Sequence, residues 1–472
     1  MHNANFLRTL AVVAHLFMNF FNTFAVLPHR RAYALAWPMI LANISTPLMG
    51  LVDTAMLGHL SSAVFIGAVA VGSHVVAFML WMFGFLRMGT TSLTGRAFGA
   101  GNHSAIVSQL LQNALLAGLI GLAMILLQFV TVPLAMNLMA PDPETRELAA
   151  RYCHIRIYSA PAVLITYVIL GWFIGLGQTR IPLLVTVAAN LFNIVLDYCF
   201  IVVLSWASDG AAIATLIAEN CALVLALAAV LKQLRKTKWK TRGFRDYFSG
   251  IDWRKLLSIN SDLFIRTIIL LFVINFVVAQ SAQFGEIVLA ANTIIMQLVF
   301  FSALTLDGYA HAAESMVAKA LGAKDLREFY ASCGATAGAS ALIALVLALA
   351  FWLRSDAMIL LMTDLREVVD TTKNFSEWLV ILPLVSVGCY WLDGIFIGAS
   401  QTRIMRNTML IGVVCVFMPL WWILQSYHNQ GLWMAFTIFN SFRGISLAIA
   451  YIQLSLLKAW VPPEIEHKDV VA

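Results

Sequence analysis

Two polar stripes interrupt otherwise apolar stretches of this chain. Asn43, Thr46, Gly50 and Asp53 follow the spacing i, i+3, i+7, i+10, and Thr186, Asn190, Asn193 and Asp197 follow i, i+4, i+7, i+11. Either spacing puts its residues on one face of an α-helix. Thr215 and Glu219, one turn apart, can complete the set. A charge at a bilayer centre costs at least about 2.5–3.5 kcal/mol, so ionisable residues there face a cavity or a partner. A lone asparagine in such a place commonly ties two helices together. Two aspartates on amide-lined faces point instead to an ion site, where Asp53 and Asp197 accept protons or hold Na⁺ with oxygens from Asn193 and Thr215. If the carboxylates couple, the protons belong to the pair.

Pro38 precedes the first stripe and Pro47 falls within it; each removes a backbone hydrogen bond and favours a kink. A second polar face carries Asp307, His311 and Glu314, with Asp393, Arg266, Arg87 and Arg443 in other apolar runs. Salt-bridge scaffolding and substrate contact are both open readings of that group. His74 stands alone in its run and reads as a packing residue.

These residues need helices in a membrane to position them. The 472 residues are 61% hydrophobic and 11% charged, where a soluble domain carries roughly 25% charged residues. Apolar runs long enough to cross a bilayer recur from end to end. Breaks between them give twelve spans: 33–58, 64–90, 106–134, 148–175, 181–205 and 210–231, then 253–280, 287–317, 329–352, 373–398, 404–426 and 430–457. The extreme N-terminus, with Arg8 before an apolar run, reads as an extension, and Met18 is an alternative start. The six cysteines are scattered without a metal-ligand spacing or a disulfide framework.

Charge orients the spans. His29, Arg30, Arg31, Arg96, Arg180, Lys319, Lys324, Arg403 and Lys458 share one side with the Lys/Arg-rich 232–255 connection. The positive-inside rule puts that side, and both termini, in the cytoplasm. The net charge of +6 follows this topology and calls for no nucleic-acid partner. The basic connection reads as a solvated topological determinant, although it could touch anionic membrane lipid.

The chain repeats itself. Ala97–Phe98–Gly99–Ala100 returns as Ala320–Leu321–Gly322–Ala323, and Phe173–Ile174–Gly175–Leu176–Gly177–Gln178–Thr179–Arg180 as Phe396–Ile397–Gly398–Ala399–Ser400–Gln401–Thr402–Arg403, both at an offset of 223 residues. Six spans per half is even, so both halves insert alike. The expected fold is therefore an all-α membrane protein of twelve transmembrane helices, in two six-helix lobes related by a pseudo-two-fold axis along the membrane normal. The expected division is 1–30 extension, 31–231 N-lobe, 232–252 linker, 253–457 C-lobe and 458–472 tail. At the same offset Asp53, Asn193 and Asp197 meet Phe276, Val416 and Leu420, so the stripe chemistry is confined to one lobe.

No GxxxxGK[ST] loop, nucleophile elbow or HExxH motif is present. An enzyme is not expected, no cofactor is called for, and energy would come from an ion gradient.

The runs Ala36–Trp37–Pro38–Met39–Ile40 and Gly50–Leu51–Val52–Asp53–Thr54–Ala55–Met56–Leu57–Gly58–His59–Leu60, with the two repeated loops, resemble the multidrug and toxic compound extrusion (MATE) family. Leu306–Asp307–Gly308 and Leu392–Asp393–Gly394 make the chain similar to its DinF-like branch. The resemblance implies a multidrug efflux antiporter of the inner (plasma) membrane, exporting cationic or amphipathic small molecules against H⁺ or Na⁺ by alternating access. It implies a cation or proton site at Asp53, Asn193, Asp197 and Thr215, and a bend of the first span at Pro38. Asn43, Asn190, Asp307, His311, Glu314 and Asp393 are the further candidates for the substrate cleft or a C-lobe polar network. Span 7 lacks the glutamate of the NorM-like branch, which weakens a C-lobe cation site. A monomer is expected. The alternative is a lipid-linked oligosaccharide flippase of the same superfamily architecture, whose diphosphate cargo would ask for a basic cleft where spans 1 and 5 are acidic.

Overall fold

The computed structural model describes residues 26–57, 63–139, 141–237 and 253–461; the side chain of Asp53, within the first helix, lies outside the described residues. The first half comprises α1 (Val26–Leu57), α2 (Ala63–Trp81), α3 (Phe85–Gly99), α4 (His103–Met139), α5 (Pro143–Ile157), α6 (Ala160–Gly175), α7 (Arg180–Asp197) with a π-helical turn (Tyr198–Val203), and α8 (Ala207–Thr237). The second comprises α9 (Trp253–Gln283), α10 (Glu286–Gly322), α11 (Leu326–Met362), α12 (Arg366–Asn374), α13 (Glu377–Gly398), α14 (Thr402–Ile411) with a second π turn (Gly412–Phe417), α15 (Met418–Leu424) and α16 (His428–Leu456). Every regular element among the described residues is helical.

Nine of these stretches are long and apolar enough to cross a membrane, and ten with the α5–α6 pair, bent by 52°. The expected twelve follow on counting α1 and dividing the 402–456 stretch at His428, whose φ of 47° turns the chain back. The α5–α6 bend falls just before Pro161, which cannot donate to the preceding turn. α4 and α11 run 37 residues each, well past the expected 106–134 and 329–352. Hydropathy marks the lipid edge, whereas a helix stops where a cap or turn stops it. Likewise α8 continues to Thr237, beyond the expected lobe end at 231. α1 starts at Val26 and runs unbroken through Pro38 and Pro47. The extension before it and the basic linker lie outside the described residues.

The repeat is visible as paired contacts. In the first lobe α3 and α6 touch where Gly171 meets the Arg87 carbonyl; in the second, α10 and α13 touch where Gly394 meets the Ala310 carbonyl. A side chain at either glycine would overlap backbone. Across the lobes, Gly99 abuts the Lys319 carbonyl and Gly322 abuts that of Arg96. All four pairs obey the 223-residue offset, and such reciprocity is what a two-fold axis between α3 and α10 requires. The repeated loops are helix stops of one design. Gly101 and Lys324, and Gly177 and Ser400, all have φ between 55° and 70°. In each, two amides fold back onto the last helical carbonyls, as in Gln178 to Phe173 and Gln401 to Phe396, both 2.9 Å.

Candidate functional site

In the N-lobe, α7 packs between α1 and α8. Its stripe is shared between these neighbours. Asn190 Nδ2 donates to Ser45 Oγ on α1 (3.0 Å), and Asn193 Nδ2 donates to Thr215 Oγ1 on α8 (3.3 Å). The Thr215 hydroxyl donates in turn to the Ala211 carbonyl. One turn on from Asn193, Asp197 is 0% exposed and is the last α-helical residue before the Tyr198–Val203 π turn. π turns insert a residue into the helical ladder and often mark functional positions. The Asn193 Oδ1 has no hydrogen-bond partner among the described residues. The α7–α8 face therefore gathers a carboxylate, an amide oxygen and a hydroxyl away from bulk water.

The stripe on α1 is less uniform than its spacing predicts. Asn43 donates to the Leu304 carbonyl of α10 (3.0 Å), so it ties α1 to the opposite lobe. Thr46 is exposed. Pro38 is buried, in the same turn as Ala36 and Ile40, and both of these press on Gly308 of α10. Glu219 does not join the Asn193–Thr215 set; it forms a two-point ion pair with Arg156 of α5. Arg156 and Glu219 are a pair that sequence reasoning missed: Glu219 is a lone charge in a largely apolar run, but Arg156 shares its helix with Glu144, Arg146, Glu147 and Arg151, so nothing sets it apart. His74 is exposed on α2 rather than packed.

The C-lobe residues form a charge network. Asp393 on α13 receives Arg266 of α9 and Arg443 of α16 (2.9 Å) on one carboxylate oxygen. Arg443 also donates to Asn440 (3.0 Å). Arg266 lies on α9, the span where the resemblance to the NorM-like branch would ask for a glutamate. Arg87 of α3 reaches across the lobe interface to His311 Nδ1 (3.1 Å), which stands 3.6 Å from the buried Glu314. Asp307 lies two turns before Glu314, half-buried, within electrostatic reach of Arg87, Arg266 and Arg443. It makes no hydrogen bond or ion pair among the described residues. Two further networks escaped sequence reasoning: Asp262 with Arg406 and Thr402, and Asn292 with Asn429, Trp433 and Ser281. Asparagines and serines are too common for spacing alone to select them.

Cross-lobe polar contacts gather toward the basic-loop end. Besides Arg87–His311 and Asn43–Leu304 they include, among the described residues, Ser92–Ser400 (2.6 Å), Ser92 to the Gly398 carbonyl (3.5 Å), Arg96 to the Ala399 carbonyl (3.2 Å), Ser315 to the Ile174 carbonyl (2.6 Å) and Arg31–Glu328 (3.1 Å).

The MatE family model matches residues 38–199 and 264–423. The chain is 38% identical over 421 residues to the DNA damage-inducible protein F of Escherichia coli K12, covering 88% of this chain and 90% of that one. It is 22% identical over 435 residues to the human multidrug and toxin extrusion protein 1, covering 91% and 75%. Among solved structures, a MOP superfamily transporter from Pyrococcus furiosus aligns with a TM-score of 0.82 at 19% identity, over 91% of this chain and 97% of that one. The Vibrio cholerae MATE transporter VcmN in its bent form aligns with a TM-score of 0.78 at 20% identity, over 92% and 98%.

Proposed function

This chain belongs to the MatE family, a family of multidrug and toxin extrusion transporters and not of enzymes, and on that premise we propose that it is a secondary antiporter. It exports cationic or amphipathic compounds in exchange for H⁺ or Na⁺. The observation that carries this reading is the buried Asn193–Thr215 pair one turn from the fully buried Asp197. Such a set binds a proton or a small cation at a modest cost only when the ion neutralises the carboxylate. Asp53 on α1 supplies the second carboxylate in this proposal.

The lobes meet toward the basic-loop end, which the positive-inside rule assigns to the cytoplasm. The arrangement is then the outward-facing one, with both termini cytoplasmic, in a monomer in the inner membrane. Ion entry neutralises Asp53 and Asp197, and α1 bends at Pro38. Because Ala36 and Ile40 press on Gly308 of α10, that bend is felt by the C-lobe. Asp307, still without an ion-pair partner among the described residues, offers its carboxylate to a cationic substrate. Asp393 does not, being committed to two arginines. Coupling needs the ion and the substrate to favour different states of the lobes.

The test is dye efflux from proteoliposomes driven separately by a proton and by a sodium gradient, for wild type, Asp53→Asn and Asp197→Asn. One gradient drives the wild type, and both variants lose that drive while remaining folded. Gradient-driven efflux that survives in both variants rejects the proposed site.

A further inference from the structure

The two-fold relation of the lobes breaks down at one place. Where α1 crosses α10 and α11, Ala36 and Ile40 pack with Tyr309 and Ala312, and Ala339 and Ile343 of α11 close the contact. At the 223-residue offset, the counterparts of Ala339 and Ile343 are Leu116 and Ile120 of α4. There α9 takes the place of α1, with Ile259 and Leu263 buried where Ala36 and Ile40 stand, but it does not close on Leu116 and Ile120, which stay half-buried. They line a groove of about 580 Å³ between α4, the start of α3 and the first turns of α9, whose other walls are Phe83, Phe85, Phe264 and Leu257. The crevice that α1 closes against α11 in one half is thus left as a groove between α9 and α4 in its duplicate.

Its polar end is also unmatched. Arg31 of α1 pairs with Glu328 at the start of α11. Their offset counterparts are Arg254 and Ala105, so the carboxylate is missing. The register is secure there, because Asn102 caps the Ala105 amide and Asp325 caps the Glu328 amide, each at 3.0 Å. Arg254 is exposed, lines the groove, and has no ion pair among the described residues. Deeper in the same groove, Asn260 is 3% exposed, and neither its amide oxygen nor its nitrogen has a hydrogen-bond partner among the described residues. A buried primary amide left unsatisfied costs about 1–3 kcal/mol or more, so its retention points to a partner outside the chain.

We propose that this groove binds a glycerophospholipid with an anionic headgroup, drawn from the leaflet on the basic-loop side. The phosphate lies against Arg254 and Ser258, the ester region meets Asn260 and Ser261, and one acyl chain follows Phe264, Phe83 and Phe85 toward the bilayer centre. The length fits: ten residues of α9 from Arg254 to Phe264 rise about 15 Å, half of a hydrocarbon core about 30 Å thick. The neighbouring Leu115, Leu119 and Leu257 are exposed large apolar side chains, giving a lipid tail a continuous approach. Since α9 belongs to one lobe and α3 and α4 to the other, the bound lipid wedges the lobe interface and favours the arrangement seen here.

The test uses the full chain in phosphatidylcholine nanodiscs doped with a little photoactivatable phosphatidylglycerol or, in parallel, photoactivatable phosphatidylcholine. Phosphatidylglycerol should label the 254–264 and 116–120 segments about fivefold more than phosphatidylcholine, the weight of one basic side chain at an anionic surface. Arg254→Gln, an exposed substitution that leaves the fold intact, should erase that preference, and Arg254→Lys should keep it. Free glycerol phosphate should not compete. Equal labelling by the two lipids, labelling spread around the whole perimeter, or a preference that survives Arg254→Gln overturns the proposal. Because the readout is lipid labelling and not efflux, it stands or falls independently of the ion site.

Discussion

Gly95 of α3 and Ala318 of α10 face each other across the lobe interface, so closely that a Cβ on Gly95 would stand 2.6 Å from that of Ala318. They are counterparts at the 223-residue offset, which places the pseudo-two-fold axis between them. Gly95→Val should therefore wedge the lobes apart at the basic-loop end. Inter-lobe distances from paired spin labels should lengthen there, and an unchanged distance distribution would mean that this contact does not hold the end closed. Gly322→Ala, which drives a methyl into the Arg96 carbonyl, should act in the same direction.

The Ser92 and Ser400 hydroxyls are 2.6 Å apart on opposite lobes. In a background with the six native cysteines replaced, Ser92→Cys with Ser400→Cys should form a disulfide under mild oxidation, since side chains this close satisfy the reach of the bond. Oxidised protein should stop transporting, and a reductant should restore it. Full transport by quantitatively oxidised protein would show that the lobes need not part at this end.

Asp393 balances two buried guanidiniums. Asp393→Asn should destabilise the protein by about 3–5 kcal/mol, the usual result of stripping one partner from a buried ion pair. The same change in an Arg266→Met background should cost clearly less, because one of the two cations is already gone. Thermal unfolding of the four proteins closes the cycle; additive losses would mean that the three charges act independently.

Asn190 and Asn193 share a stripe but differ in partner, Ser45 of α1 for the first and Thr215 of α8 for the second. Asn190→Leu removes a tie between α1 and α7 and should cost about 1 kcal/mol of stability, with gradient-driven efflux retained. Asn193→Leu should abolish the gradient dependence at similar stability. Matching efflux profiles in the two variants would remove the distinction.

Gly101 ends α3 with φ of 66°, and nothing lies within 4 Å of where its Cβ would be. Gly101→Ala is therefore a pure backbone test and should cost about 1–2 kcal/mol. Its counterpart Lys324 already tolerates φ of 57°, so Lys324→Gly should be neutral or stabilising. A thermal shift of opposite sign at either position would contradict the helix-stop reading of the repeated loops.

Much of the architecture was legible beforehand. Asn193 and Asp197 could be singled out because polar residues are expensive in lipid and helical spacing is regular, so few positions qualify. The same logic selects Thr215, which does bond Asn193, whereas Glu219 beside it pairs with Arg156 instead. Spacing along one helix reports a face but not which neighbour that face meets, and Arg156 lies in a different helix altogether. The same limit explains why Asn43 turned out to join the lobes.

The sequence by itself determined an apolar, duplicated chain of helices, the placement of its charges between them, and the polar stripe of Asn190, Asn193 and Asp197. These follow from local rules of hydropathy, periodicity and repetition, which need no third dimension. Only the tertiary structure decided that Asp393 is spoken for by two arginines while Asp307 is not. It alone revealed that α1 closes one crossing of the duplicated fold against α11, whereas α9 leaves a groove against α4 beside Arg254. Pairing energies and packing depend on which helices become neighbours, and that is settled by contacts between residues far apart in the chain.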